Sequence, residues 1–274
     1  MAPAVKKQKL EPSAVDCQHV LVMRHGDRVD DGVGDSWWTS VPRPWDPPLA
    51  EVGRSKALET GKKLRAELGF PIHRIVVSPF QRCIATAQEL IAGLSMANDD
   101  TTIIVGGDNS NPADSSTSRI KVSLEYGMSE MMNDVALWYH PTDRNSWGFN
   151  IEELEASFLQ RLVELAPYRV FKELPQWGES ESGAKDRYLL TIHSLVDRYP
   201  EENLLFITHG EGVKVTASTY WKKARGHKIR PGYFGYAHLQ RQIIRNGDSF
   251  TANRFGIATD PNETGIKLEP PRHA

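Results

Sequence analysis

The chain has 274 residues, with 33 Lys and Arg against 35 Asp and Glu and a formal net charge of -2. That balance excludes a whole-molecule attraction to nucleic acid or anionic membrane, so any anion specificity must be local. Its 39% hydrophobic and 25% charged content is that of a globular chain with a sizeable core, and two cysteines, Cys17 and Cys83, are too few for a disulfide framework.

Free thiols suit a reducing compartment, and no apolar run reaches the roughly 18 residues of a membrane span. Residues 1–17 read as a flexible polar tail without a signal-peptide core, so the expected location is the cytoplasm. Lys6, Lys7 and Lys9 fit a nuclear address as well as a plain tail. One domain is expected over 18–262, with a second flexible tail over 263–274.

His19-Val20-Leu21-Val22-Met23 predicts a buried strand that delivers Arg24-His25-Gly26 to a loop. A tryptophan- and proline-rich loop follows over 37–48. Helical spacing runs from Ala50 to Leu68, with Leu58, Leu64 and Leu68 inward and Gly69 as a stop. Ile75-Val76-Val77 is the next buried strand. Ser78 as N-cap and Pro79 at the first helical position then predict a second helix, with Ile84, Ala87, Ile91 and Leu94 as its core face.

Thr101 to Val105 and Ile120 to Leu124 read as further strands around the polar stretch 106–118. Residues 129–180 read as a helical and loop insertion over the sheet, of the kind that completes an active site. Its clear helix is capped by Asn150, with Ile151, Leu154, Phe158 and Leu162 turned inward. A helix over 182–199 and a strand over 204–208 lead into His209-Gly210. Asn246-Gly247 between two apolar runs is a hairpin signal.

Strands alternating with helices predict a three-layer α/β/α domain with a mainly parallel central sheet. In such sheets ligands bind beyond the carboxyl ends of the strands. Arg24-His25-Gly26, Ser78 to Arg82 and His209-Gly210 all belong at that rim.

These residues suit phosphoryl transfer. A neutral imidazole can attack phosphorus in line while the equatorial oxygens are met by fixed positive charge. Arginine binds phosphate bidentately and keeps its charge, and Arg24, Arg28 and Arg82 supply such a ring around His25. His209 can donate to a phosphate oxygen. The leaving oxygen needs a proton; Glu125, just after a strand, is the expected donor and Glu130 the runner-up. Either carboxyl would be held ionised by the arginines until bound phosphate neutralised them in part. No histidine or carboxylate falls in a metal-ligand spacing, so neither metal nor cofactor is expected.

Leu21-Val22-Met23-Arg24-His25-Gly26, Ser78-Pro79-Phe80-Gln81-Arg82-Cys83-Ile84-Ala85-Thr86-Ala87 and Phe206-Ile207-Thr208-His209-Gly210 resemble the three motifs of the histidine phosphatase (phosphoglycerate mutase-like) superfamily, branch 1. Asp46-Pro47-Pro48-Leu49 with Gly53 is similar to the segment between the first two. The resemblance covers roughly 18–213. It implies that His25 is the phosphorylated nucleophile, that Arg24, Arg82 and His209 hold the phosphate, and that Glu125 gives the proton.

The run from Arg24 to Asp30, with Gly34 and Trp37, looks most like the Sts/UBASH-type and ecdysteroid-phosphate phosphatases. That likeness implies that Arg28 also contacts the substrate side of the pocket. Val29 and Gly210 depart from the histidine acid phosphatases, which place proline and aspartate there. Glu211 departs from the Sts-type loop, and would repel a second phosphate unless it pairs with an arginine.

The expected activity is hydrolysis of a phosphomonoester, on a small molecule or a phosphoprotein. A phosphate-binding interaction module with little turnover and a phosphoglycerate-type mutase are the alternatives. No nucleic acid or membrane partner is expected; a homodimer is compatible with this reading.

Overall fold

The computed structural model describes residues 15–33, 36–96, 120–137, 139–141, 147–158, 163–165, 168–246 and 249–270. Its first elements are strand β1 (Val15–Arg24), the short helix α1 (Ser36–Ser40), α2 (Glu51–Glu67), β2 (Arg74–Val77) and α3 (Gln81–Ser95). There follow β3 (Ile120–Leu124), α4 (Ile151–Ala156), β4 (Val163–Leu165), α5 (Glu181–Arg198), β5 (Leu204–Thr208) and α6 (Gly210–Tyr220). The last are β6 (Lys228–Pro231), β7 (Tyr236–Asn246), β8 (Ser249–Ala252), β9 (Gly256–Ile257) and β10 (Ile266–Glu269).

Strands β4, β3, β2, β5 and β1 lie side by side in that order, all parallel. Strand β7 pairs antiparallel with β1 and carries β8 and β9 beyond it. β6 and β10 form a separate two-stranded ribbon.

Strands buried on both faces are apolar at every position, because each pleat face meets a helix layer. Val20, Val22, Val76, Leu204 and Phe206 pack with Tyr188, Ile192 and Leu195 of α5 and Val213 and Ala217 of α6. The intervening Leu21, Met23, Ile75, Val77, Leu205 and Ile207 pack with Leu64 of α2 and Cys83, Ile84, Leu90 and Ile91 of α3. These are the three layers that the alternation of elements predicts.

Several details differ from the sequence reading. Helix α2 buries Gly53, Ala57 and Gly61 as well as Leu64, a stripe of small residues that hydrophobicity alone does not mark. An added Cβ at Gly61 would stand 2.3 Å from the Leu90 carbonyl oxygen, so small residues set the close approach of α2 to α3. Helix α3 starts at Gln81, and neither Ser78 nor Pro79 caps it. Asp46 Oδ1 accepts from the Gln81 N–H at 2.8 Å instead.

The stretch 129–180 is more than an insertion, since β4 adds a parallel edge strand to the sheet. Asn150 caps α4, its Oδ1 accepting from Glu153 N–H at 3.3 Å, and Phe158 is fully buried; Leu162 lies outside the described residues. Both expected tails contribute structure, because β1 starts at Val15 and β10, inside 263–274, buries Ile266 against the α5–α6 core. Asn246 pairs with Ser249 across the expected hairpin. The predicted strand over 101–105 lies outside the described residues.

Candidate active site

His25, Ser78, Glu125 and His209 are the first residues beyond β1, β2, β3 and β5. The register brings these ends level, since Arg24 pairs with Thr208, and Val77 with both Ile207 and Leu124. Main-chain bonds fix the corner: His25 N–H donates to Thr208 O (2.9 Å), Ser78 N–H to Ile207 O (3.0 Å) and Glu125 N–H to Val77 O (2.9 Å). Gly26 N–H donates to Thr86 Oγ1 at 3.0 Å, and a Cβ at Gly26 would meet Phe234 Cζ at 2.3 Å, so this close approach requires glycine.

The His25 ring is buried, with Nδ1 2.8 Å from the Gly26 carbonyl oxygen. A carbonyl only accepts, so Nδ1 carries the proton and Nε2 the lone pair. Burial, then the charges of Arg82, His209 and Arg24, hold this imidazole well below its usual pKa, hence neutral. Neutral Nε2 is the form a nucleophile needs.

Arg82, fully buried at the start of α3, joins the two histidines. Its Nε–H donates to His25 Nε2 at 3.2 Å, and its Nη2 lies 3.2 Å from His209 Nδ1. The two imidazole rings stand 5.4 Å apart, edge to face. Asp46 Oδ1 lies 3.7 Å from Arg82 Nη1 while Asp46 Oδ2 accepts from Arg43 Nη2 at 2.9 Å. The tryptophan and proline loop is thereby tied to the pocket floor.

His209 is equally buried. Its Nε2 is 2.9 Å from Ser78 Oγ, so the serine that reads as a helix cap orients a pocket histidine. Its Nδ1 faces a carboxylate oxygen, Glu130 Oε2, at 3.2 Å. Burial lowers the His209 pKa to about 4 against the pull of Glu130. Burial by itself would raise the Glu130 carboxyl, but His209 and Arg82 hold it at about 2. Cys83 Sγ is 3.7 Å from His209 Nε2, and burial pushes this thiol up, so it remains a protonated packing group.

Arg24 Nη1 donates to Pro231 O at 2.9 Å, and its guanidinium stacks 4.2 Å from the Tyr233 ring centre. Tyr233 in turn lies 5.6 Å from the His25 ring. Arg24 Nε and Arg82 Nη1 are buried N–H groups without a hydrogen-bond acceptor among the described residues. Buried donors are nearly always hydrogen-bonded, so these two guanidinium N–H groups beside a neutral imidazole are what an anion would need to meet. Among the described residues no group of three His, Cys, Asp or Glu is placed to hold a metal ion.

Two expected site residues have partners that the sequence does not show. Both carboxylate oxygens of Glu125 are engaged by backbone N–H groups: Gly127 (2.8 Å) and Phe171 (2.9 Å) on Oε1, and Val170 (2.6 Å) on Oε2. Glu125 therefore anchors a loop, and Glu130 is the carboxylate that meets Arg82 and His209. Arg28 forms a bidentate pair with buried Asp30 through Nε (2.8 Å) and Nη2 (2.6 Å), and Trp38 Nε1 also approaches that carboxylate at 3.3 Å. Glu211 pairs with Lys214 at 3.1 Å, one helical turn on, and not with an arginine.

The sequence reading missed Tyr233 and the part played by Ser78, and gave Asp46 no role. Asp46 lies in a recognised segment. Nothing about Tyr233 in Gly232-Tyr233-Phe234-Gly235 distinguishes it from a turn.

Residues 20–102 match the model of the histidine phosphatase superfamily (branch 1). No curated protein matches the chain. Among solved structures, the ecdysone phosphate phosphatase of Bombix mori, in complex with tungstate, aligns with a TM-score of 0.58 and 16% identity, over 94% of this chain and 95% of that one. A phosphoglycerate mutase from Bacillus anthracis aligns with a TM-score of 0.47 and 14% identity, over 87% and 92%. The likeness to the histidine phosphatase superfamily (branch 1) thus covers residues 20–102, and over nearly the whole chain the protein shares the mixed α/β fold of the ecdysone phosphate phosphatase.

Proposed function

We propose that the protein is a phosphomonoester hydrolase that works through a phosphohistidine at His25, with Glu130 as the proton donor. The observation that carries this reading is Arg82: one buried guanidinium lies 3.2 Å from both imidazoles and still has a donor to spare.

Substrate phosphate would give Arg82 and Arg24 the acceptors they lack. Attack by His25 Nε2 forms the N–P bond as the ester P–O bond breaks, and Glu130 protonates the departing oxygen. Water then attacks phosphorus, gives its proton to the Glu130 carboxylate, and the N–P bond breaks. His209 and Arg82 hold the Glu130 carboxyl down and so ionised. A bound phosphate dianion competes for both and lets the carboxyl rise into a useful range. Glu211, two residues beyond His209, is paired with Lys214 and so adds no positive charge for the second phosphoryl group that mutase chemistry would need.

The test is release of inorganic phosphate from p-nitrophenyl phosphate by the wild type and by His25→Ala. Loss of at least about a thousandfold in kcat/KM in the variant is the expected result, in line with removal of a nucleophile. Equal rates would instead identify a binding module.

A further inference from the structure

The proton donor sits on irregular backbone, and irregular buried backbone must find partners for its carbonyls. In the loop after β3 four consecutive carbonyls are taken by side chains from α5 and β5. Arg187 Nη1 donates to Gly127 O (2.8 Å) and Ser129 O (3.1 Å), and its Nη2 to Glu130 O (3.4 Å). Thr208 Oγ1 donates to Met128 O at 2.7 Å, and Tyr188 Oη to Ser129 O at 2.6 Å.

Arg187 differs from the other two in its reach, since it spans three residues of the loop. It is itself fixed by Glu179, just before α5, through bonds of 2.6 Å (Nε to Oε1) and 2.7 Å (Nη2 to Oε2). Glu179 also accepts the Met132 N–H at 3.2 Å on Oε2, and its own carbonyl accepts from Asn133 Nδ2 at 2.7 Å. The pair therefore brackets Glu130 from both sides in sequence. Every nitrogen of Arg187 has an acceptor, in contrast to Arg82. Arg187 is thus committed to the loop and unavailable to a phosphate.

We propose that Arg187, locked by Glu179, is the positioning residue for the proton donor: it sets the loop so that the Glu130 carboxylate reaches Arg82 and His209. This rests on the reading of Glu130 as the acid. A general acid must stand within hydrogen-bond reach of the oxygen it protonates, and small displacements cost rate steeply. A residue acting through the acid therefore affects poor leaving groups far more than good ones, whereas general loosening of the fold affects both alike.

The experiment compares kcat/KM for phenyl phosphate, whose leaving oxygen needs a proton, with p-nitrophenyl phosphate, whose does not. It uses the full chain as wild type, Arg187→Met, Glu179→Gln and Glu130→Gln, assayed below each melting transition, with tungstate affinity measured in parallel. Glu130→Gln should lose about a hundredfold on phenyl phosphate and only a few-fold on the nitrophenyl ester. Arg187→Met and Glu179→Gln should reproduce that split at about tenfold, with tungstate affinity changed by no more than about threefold.

Should Arg187→Met not fold, Glu179→Gln, which weakens the lock on Arg187 without removing the guanidinium from the chain, decides the matter. If Glu130→Gln shows the split and the folded Arg187 or Glu179 variant loses equally on both esters, or on neither, the positioning role is wrong and the acid assignment stands. If Glu130→Gln shows no split, the acid assignment falls and the positioning role falls with it.

Discussion

The two ends of the parallel sheet bury the same kinds of side chain and treat them in opposite ways. At the amino ends of the strands, Arg74 makes a bidentate pair with Glu202 at 2.6 and 3.2 Å, with Lys121 on the same carboxylate at 2.7 Å. Arg241 there donates to Gln18, Asp197 and Val196 O, and His19 and His238 share a 3.1 Å bond. At the carboxyl ends, Arg24 Nε and Arg82 Nη1 make no hydrogen bond among the described residues, though Asp46 lies 3.7 Å from the latter, and two neutral imidazoles are crowded by positive charge. Burial of charged residues is therefore no mark of function in this protein. Incomplete hydrogen bonding is what sets the carboxyl end apart, because a buried donor without an acceptor costs stability that a bound anion would restore.

That contrast breaks most sharply in activity. Arg82→Met at the carboxyl end should cost the folded enzyme at least about a thousandfold in kcat/KM on p-nitrophenyl phosphate, about 4 kcal/mol, beyond any stability lost through its contacts with Asp46 and Glu130. Arg74→Met at the paired end should do the reverse. It leaves the half-buried Glu202 with Lys121 as its remaining partner and should destabilise by about 2 kcal/mol in urea melts, with unchanged kcat for the folded fraction. Activity lost by the folded Arg74 variant, or kept by the folded Arg82 variant, would erase the distinction.

Ligand linkage sharpens the comparison further. Tungstate at a hundred times its dissociation constant should stabilise the wild type and Arg74→Met by about 2.7 kcal/mol, and Arg82→Met hardly at all.

The smallest effect is with pH. Burial, then His19, lowers His238 to about 4, and burial lowers His19 as well. The unfolded chain binds these protons first as the pH falls below about 6.5, so the stability is present above that value and lost on going down towards 4. His238→Gln should flatten part of that slope, on the order of 2 kcal/mol across the window. An unchanged slope would remove His238 as its source.

Much of this was legible in the sequence because the pocket sits at strand ends. The runs Val20 to Met23, Ile75 to Val77 and Leu204 to Thr208 stop where Arg24-His25, Ser78 and His209 begin, and parallel pairing does the rest. What could not be read depends on partners remote in sequence. Glu125 and Glu130 follow the same strand five residues apart; Val170 and Phe171, some 45 residues on, engage the first and leave the second to the pocket. Ser78-Pro79 has the pattern of a cap, and only His209 reveals where the hydroxyl goes. Ile266-Lys267-Leu268-Glu269 alternates as a strand should, yet its partner β6 lies beyond the reach of local pattern.

The most direct measurement is of the covalent intermediate itself. Glu130→Gln, mixed with excess radiolabelled p-nitrophenyl phosphate and quenched in alkali, should carry label on the peptide containing His25, stable to base and released by acid. Label on any other residue, or turnover with no labelled protein at any mixing time, would contradict transfer through His25.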